Sequence, residues 1–180
     1  MRTRLLPSIL ALAALSVMTL PARGAGALSG RRAPWFRLKS ITGKTVTNKT
    51  IRGRPAIIVV GRSFKSAPPC KKWILELAKL YGAKAAVHQV IVADKPWYIP
   101  RSAVLKKIRN FTPPAHRHRV LVEWYKVFAK VWNVPQHDHP TIFVIDAKGV
   151  VRLRMRGKMT TASLRRVHRA VHSRAKQRSR

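Results

Sequence analysis

The chain has 180 residues, an apolar share of 46% and a formal charge of +33, from 38 Lys and Arg against 5 Asp and Glu. That apolar share supports an ordinary packed core and excludes a purely disordered polycation, while the charge favours anionic partners or is simply compositional. A single cysteine, Cys70, excludes an internal disulfide.

Arg2 and Arg4 precede the apolar run "LLPSILALAALSVMTL", and "AGA" at Ala25 to Ala27 has the small residues of a cleavage site. This pattern predicts a signal peptide over 1–27, cut after Ala27, and a periplasmic or secreted mature chain. The run is short for a membrane span and carries Pro7, although an uncleaved anchor is the alternative. It holds no cysteine for a lipoprotein anchor.

Residues 28–33 read as a flexible lead-in. "WFRLKSITGKTVTN" alternates around a "TGK" turn and predicts a short hairpin. "AIIVV" (56–60) is a β-branched run bounded by Pro and Gly, as in a strand buried on both faces. After "SAPP", Trp73, Ile74, Leu77, Leu80 and Tyr81 fall at helical spacing and Gly82 marks the stop. Pro68 and Pro69 suit the first turn, which places Cys70 near the helix N-terminus. "AVHQVIVAD" (86–94) predicts a second buried strand, parallel to the first through a right-handed crossover.

"SAVLKKIRNF" (102–111) predicts a short amphipathic helix, "TPPAHRHR" a basic loop, and "VLVEWYKVFAKVWNV" (120–134) a further helix. "TIFVID" (141–146) predicts a strand, "AKG" a tight turn, and "VVRLRMRG" (150–157) a half-exposed strand. Thr160 or Thr161 caps a last helix over "ASLRRVHRAVHSR", and the basic tail from 173 to 180 should fray. The fold class is α/β, a mixed central sheet flanked by helices with an N-terminal β-hairpin extension, and one domain over 28–172.

A thiolate at a helix N-terminus, beside Lys71 and Lys72, has a lowered pKa and can be oxidised or bind a soft metal. The alternative is a buried Cys70 that acts as a small hydrophobe. Arg152, Arg154 and Arg156 alternate with Val151, Leu153 and Met155, and predict one charged, anion-binding strand face. "HRH" (116–118) reads as an anion-facing loop. No nucleic-acid recognition motif is present, and Trp73, Trp97, Trp124 and Trp132 read as core or rim aromatics.

Three segments resemble the redoxin (AhpC/TSA) branch of the thioredoxin superfamily, which includes TlpA/ResA-like exported thioredoxins. "APWFRLKSITGKTVTNKTIRGRPAIIVV" is similar to its opening, "APPCKKW" (67–73) to "C-P-P-C-R/K", and "HPTIFVIDAKGVV" (139–151) to the segment that follows its redox site. The likeness spans about 33–172 and implies a thioredoxin-like fold with a degenerate C-x-x-C motif, Ala67-Pro68-Pro69-Cys70. The family's attacking cysteine falls on Ala67, and the buried acid of many thioredoxins falls near Gly61. Against the peroxiredoxin pattern, Ser63 and Ala67 stand where the partners of the thiol would be. A dithiol–disulfide cycle within one chain needs two sulfurs and is excluded.

The resemblance further implies a cis His139–Pro140 bond, with His139 beside Cys70 as a candidate base. Three functions follow as expectations. The first is an exported protein with a single-cysteine thiol-redox role through Cys70, by mixed disulfide or peroxidase-like chemistry. The second is a redox-inactive binding module that uses the cis-proline loop and a basic surface. The third is a copper or zinc carrier that uses Cys70 and His139, with His137. A protein partner, acidic or thiol-bearing, or an anionic surface is expected. No cofactor and no specific nucleic acid is.

Overall fold

The chain enters its sheet through a hairpin, β1 (Arg37–Ser40) and β2 (Thr45–Thr47), with Leu38 opposite Val46. Gly43 turns it at φ +90°, a conformation that costs glycine little. The computed structural model describes residues 28–94 and 96–173. The expected signal peptide (1–27) and the tail from 174 onward lie outside these residues.

β3 (Ala56–Gly61) is buried at every position, as its run of β-branched residues requires. It leads through a 3-10 turn at Phe64–Ser66 into α1 (Ala67–Tyr81), whose first turn holds Pro68 and Pro69. α1 buries Cys70, Trp73, Ile74, Leu77 and Tyr81 on the sheet. β4 (Ala86–Val92) then pairs parallel to β3. α2 (Arg101–Phe111) follows, and the "TPPAHRHR" segment is a 3-10 turn over Pro114–Arg119 rather than an irregular loop.

Residues 120–134 correct the expectation of one helix. They form a buried strand, β5 (Val120–Glu123), parallel to β4, and then a one-turn helix, α3 (Val127–Val131). The physical reason lies in Glu123, 3% exposed, whose carboxylate accepts the Phe128 and Ala129 N–H groups. The side chain that ends the strand thereby caps the helix, and Lys126, at φ +58°, makes the corner between them.

β6 (Thr141–Ile145) returns antiparallel to β3, and β7 (Val151–Arg156) antiparallel to β6. The register shifts between Val144 and Ile145, so Arg152 is an extra residue in β7. Val151 consequently packs with Phe143 and Trp132 on one side of the sheet, while Met155 packs with Cys70 and Trp73 on the other. α4 (Thr161–His172) opens on a Thr160–Ser163 capping box. The seven strands lie in the order β2-β1-β5-β4-β3-β6-β7.

Candidate functional site

The carboxyl ends of three adjacent parallel strands, β3, β4 and β5, point to one pole of the sheet. In an open α/β sheet this pole is where ligands bind. Gly61 ends β3, and Arg62, Ser63 and Phe64 carry the chain over the rim into α1.

Cys70 lies one turn into α1 and is 0% exposed, packed with Ile57, Val59, Trp73, Ile142 and Val144. Burial pushes its thiol up to about 12, against a smaller opposing pull from the Ser66 hydroxyl. Burial thus outweighs the helix terminus and the two lysines, and corrects the expectation of a lowered pKa. The Ser66 hydroxyl donates to Ser63 O at 2.6 Å, so lending that proton to a thiolate would break this bond. Ala67 and Pro68 are exposed and Pro69 is half-buried. The motif therefore presents its alanine to solvent and keeps its sulfur inside.

Gly61 has a reason of its own. A Cβ there would lie 2.8 Å from Ser66 Oγ and 2.9 Å from Cys70 Sγ. A buried acid at this position has no room, because Ser66 and Cys70 fill the space.

The 135–140 segment runs beside the turn. Ser63 Oγ donates to Asp138 Oδ1 at 3.1 Å, and Lys65 pairs with Asp138 at 3.8 Å. His139 N–H donates to His137 Nδ1 at 3.2 Å, and the two rings lie 5.1 Å apart. The His139–Pro140 bond is trans, since no peptide bond among the described residues is cis. This corrects the expected cis-proline loop, and trans is the lower-energy isomer of an X–Pro bond wherever packing does not select cis. Pro140 O accepts Gly157 N–H at 3.1 Å, so with His139 N–H bound as well these two groups are not free for strand addition. Cys70 does not join His137 and His139 in a metal site: among the described residues no three His, Cys, Asp or Glu side chains converge to hold a metal.

The anion-binding arginines are divided. Arg152 holds Asp146 through Nη2 at 2.6 Å and Nε at 2.8 Å, and Arg154 donates to Asn133 O at 2.5 Å. Of the three, Arg156 alone is exposed. The bulge and these partners use the charges that alternation alone would have left in solvent.

What sequence reasoning missed is an aromatic and basic rim around the strand ends. Phe64 follows β3, Trp97 and Tyr98 follow β4, and Tyr125 follows β5, and all four are exposed, Trp97 at 91%. Cations interleave them: Lys107 Nζ stands 5.1 Å from the Phe64 ring and Arg101 5.0 Å from the Tyr125 ring. Arg62 reaches across to Val134 O at 2.5 Å. An open groove lined by Arg62, Tyr125, Val127, Lys130, Val131 and Pro135 continues the rim over α3. The signal was dispersed, since these aromatics stand far apart in sequence and only the parallel pairing of β3, β4 and β5 gathers them.

Few negative charges offset this surface. Asp94 pairs with Lys126 at 2.8 Å, Asp138 with Lys65 and Asp146 with Arg152, while Glu123 is enclosed at α3. Among the described residues, Glu76 alone of the five carboxylates takes part in none of these contacts.

Comparison with known proteins agrees with this geometry. The family model of AhpC/TSA matches residues 29–154. A search of curated proteins returned no match. The exposed lipoprotein thioredoxin of Streptococcus pneumoniae superposes with a TM-score of 0.60 at 19% identity, over 75% of this chain and 98% of its own. A thiol:disulfide interchange protein of the thioredoxin family from Chlorobium tepidum gives 0.58 at 20%, over 78% and 95%. A 2-Cys peroxiredoxin from Plasmodium vivax gives 0.54 at 18%, over 78% and 94%. At these identities the likeness is one of fold, and the fold is thioredoxin-like.

Proposed function

The chain belongs to the AhpC/TSA family, and on that premise we propose that this redoxin is an exported protein that binds in its resting state rather than reacts. It keeps the scaffold of a thiol-redox family and one cysteine at the family's second motif position. The observation that carries the reading is the state of that cysteine. A sulfur with no exposure and a thiol pushed up to about 12 offers almost no thiolate at neutral pH. The exposed aromatic and basic rim offers contact area and positive charge on the same pole, which suits an acidic protein partner. Export is supported by the Arg2–Ala27 pattern and by the likeness to an exposed lipoprotein thioredoxin.

A second reading, thiol-redox chemistry through Cys70, is favoured by its position one turn into α1 at the family's motif. It requires the first turn of α1 to open so that the sulfur meets solvent. Labelling of the native protein with a maleimide separates the two. On the binding reading, Cys70 reacts only on denaturation. Fast native labelling at neutral pH would instead establish the redox reading.

A further inference from the structure

The pole opposite the motif carries a second cluster that the proposed function does not use. His88, on β4, lies beside Arg119 because Gln89 pairs with Val120 at the start of β5. Arg54, just before β3, places positive charge on His88 and on Arg119, and His118, on the 114–119 turn, adds to it at His88 when protonated. His116 and Lys44 act in turn on His118. The Arg119 guanidinium lies along the C-terminal turn of α1, its Nη2 3.2 Å from where a Cβ on Gly82 would stand.

No carboxylate is among the charged groups that bear on His88, His118 or Arg119. Three nitrogens here, His88 Nδ1, His116 Nδ1 and Arg119 Nε, are buried without a hydrogen-bond partner. Of these, Arg119 Nε–H is a donor without an acceptor, while each imidazole nitrogen donates only when protonated. An unpaired buried donor and uncompensated like charges are both costly, and one anionic occupant relieves both. Burial and the neighbouring cations, against a hydrogen bond between the His88 ring and the Arg119 backbone, hold His88 down at about 4, and burial and cations hold His118 below its usual value.

We infer that this cluster, at the amino ends of β3, β4 and β5, is a binding site for a small divalent oxyanion: sulfate, phosphate or the phosphate group of a monoester. Arg119, Arg54 and His118 grip it at the surface, and His88 stands behind them. Arg119 supplies the planar fork that suits such an anion, and the exposed Arg54 and Lys44 close its mouth. The bound anion favours the protonated imidazoles, so affinity rises as pH falls.

The test is calorimetric titration of the full-length chain with sodium sulfate, whose charge is constant over the range used, against a constant chloride background. Saturable one-to-one binding is expected, weakened about tenfold by Arg119→Gln and about threefold by Arg54→Gln. Arg54 is exposed, so its loss does not endanger the fold. Arg156→Gln, an exposed arginine on β7, should bind as wild type does. Affinity should rise about threefold or more from about pH 7.5 to about pH 5.5, and less so in His118→Gln. Inorganic phosphate and glycerol phosphate, titrated alongside, distinguish a free oxyanion from a monoester by which binds tighter. Absence of saturable binding for all three, or equal weakening by Arg156→Gln, overturns the site.

Discussion

Gly61 and Cys70 are in contact so close that no side chain fits between them: a Cβ on Gly61 would stand 2.9 Å from Cys70 Sγ. Gly61→Ala should destabilise the protein by about 1–3 kcal/mol through overpacking, read by urea denaturation. Because the sulfur is one of two obstacles, adding Cys70→Ala should recover about 0.5 kcal/mol or more of that loss. Full additivity of the two changes would place the strain elsewhere.

The buried thiol makes stability fall at high pH. Its folded value, about 12, lies above the ordinary 9.0, so between these values the folded state holds a proton that the unfolded chain has lost. The contribution is intact below pH 9.0 and declines as pH rises toward 12. Relative to Cys70→Ala, wild type should lose about 2–3 kcal/mol by about pH 11, measured by denaturant titration at each pH. A difference that does not vary with pH would mean that the sulfur meets solvent.

Ala67→Cys should restore dithiol chemistry. Position 67 is exposed at the start of α1, three residues before Cys70, where the helix terminus favours a thiolate. The variant should form an internal disulfide and reduce insulin in the presence of dithiothreitol faster than wild type does. An inert variant would count against the placement of the motif.

Glu123 should reveal itself at low pH. Burial pushes its carboxyl up, against the N–H groups of Phe128 and Ala129 and the charge of Arg62. A raised acid gives stability that is present below its unfolded value, near 4.5, and is lost as pH rises from there toward the folded value. Glu123→Gln should remove that slope, measured by thermal unfolding across the acid range. Glu123→Ala should cost about 2–4 kcal/mol, because it leaves two buried N–H groups without acceptors.

The rim should be dispensable for folding and needed for association. Trp97→Ala and Tyr125→Ala should change stability by no more than about 0.5 kcal/mol, as exposed side chains do. Poly-glutamate binding, followed by Trp fluorescence, should weaken in both variants and fall steeply with salt. Unchanged binding in both would remove the rim as the docking surface.

Much of the fold was legible because single segments carried complete signals. The "TGK" turn, the β-branched run at 56–60 and the Pro-Pro entry to α1 each named their own element. Residues 120–134 did not, because a short buried strand followed by one helical turn leaves apolar residues at helical spacing. Only the pairing of Val120–Glu123 with β4 resolves that ambiguity, and pairing is not a local property. The depth of Cys70 stood as one of two readings, since Lys71 and Lys72 announce a reactive thiol, and the buried reading holds because Ile142 and Val144, far along the chain, cover the sulfur. Arg152 and Arg154 looked free because alternation names no partners, yet Asp146 meets Arg152 across the β6–β7 turn and Asn133 O, ahead of β6, accepts from Arg154.

The engagement of four carboxylates inside the chain has a consequence for how the molecule meets its buffer. Its remaining cations have almost no carboxylates to pair with, so anions from solution are left to screen their mutual repulsion. Folding then takes up anions, and the midpoint of unfolding climbs with their concentration and valence. The melting point of this protein belongs as much to the medium as to the sequence.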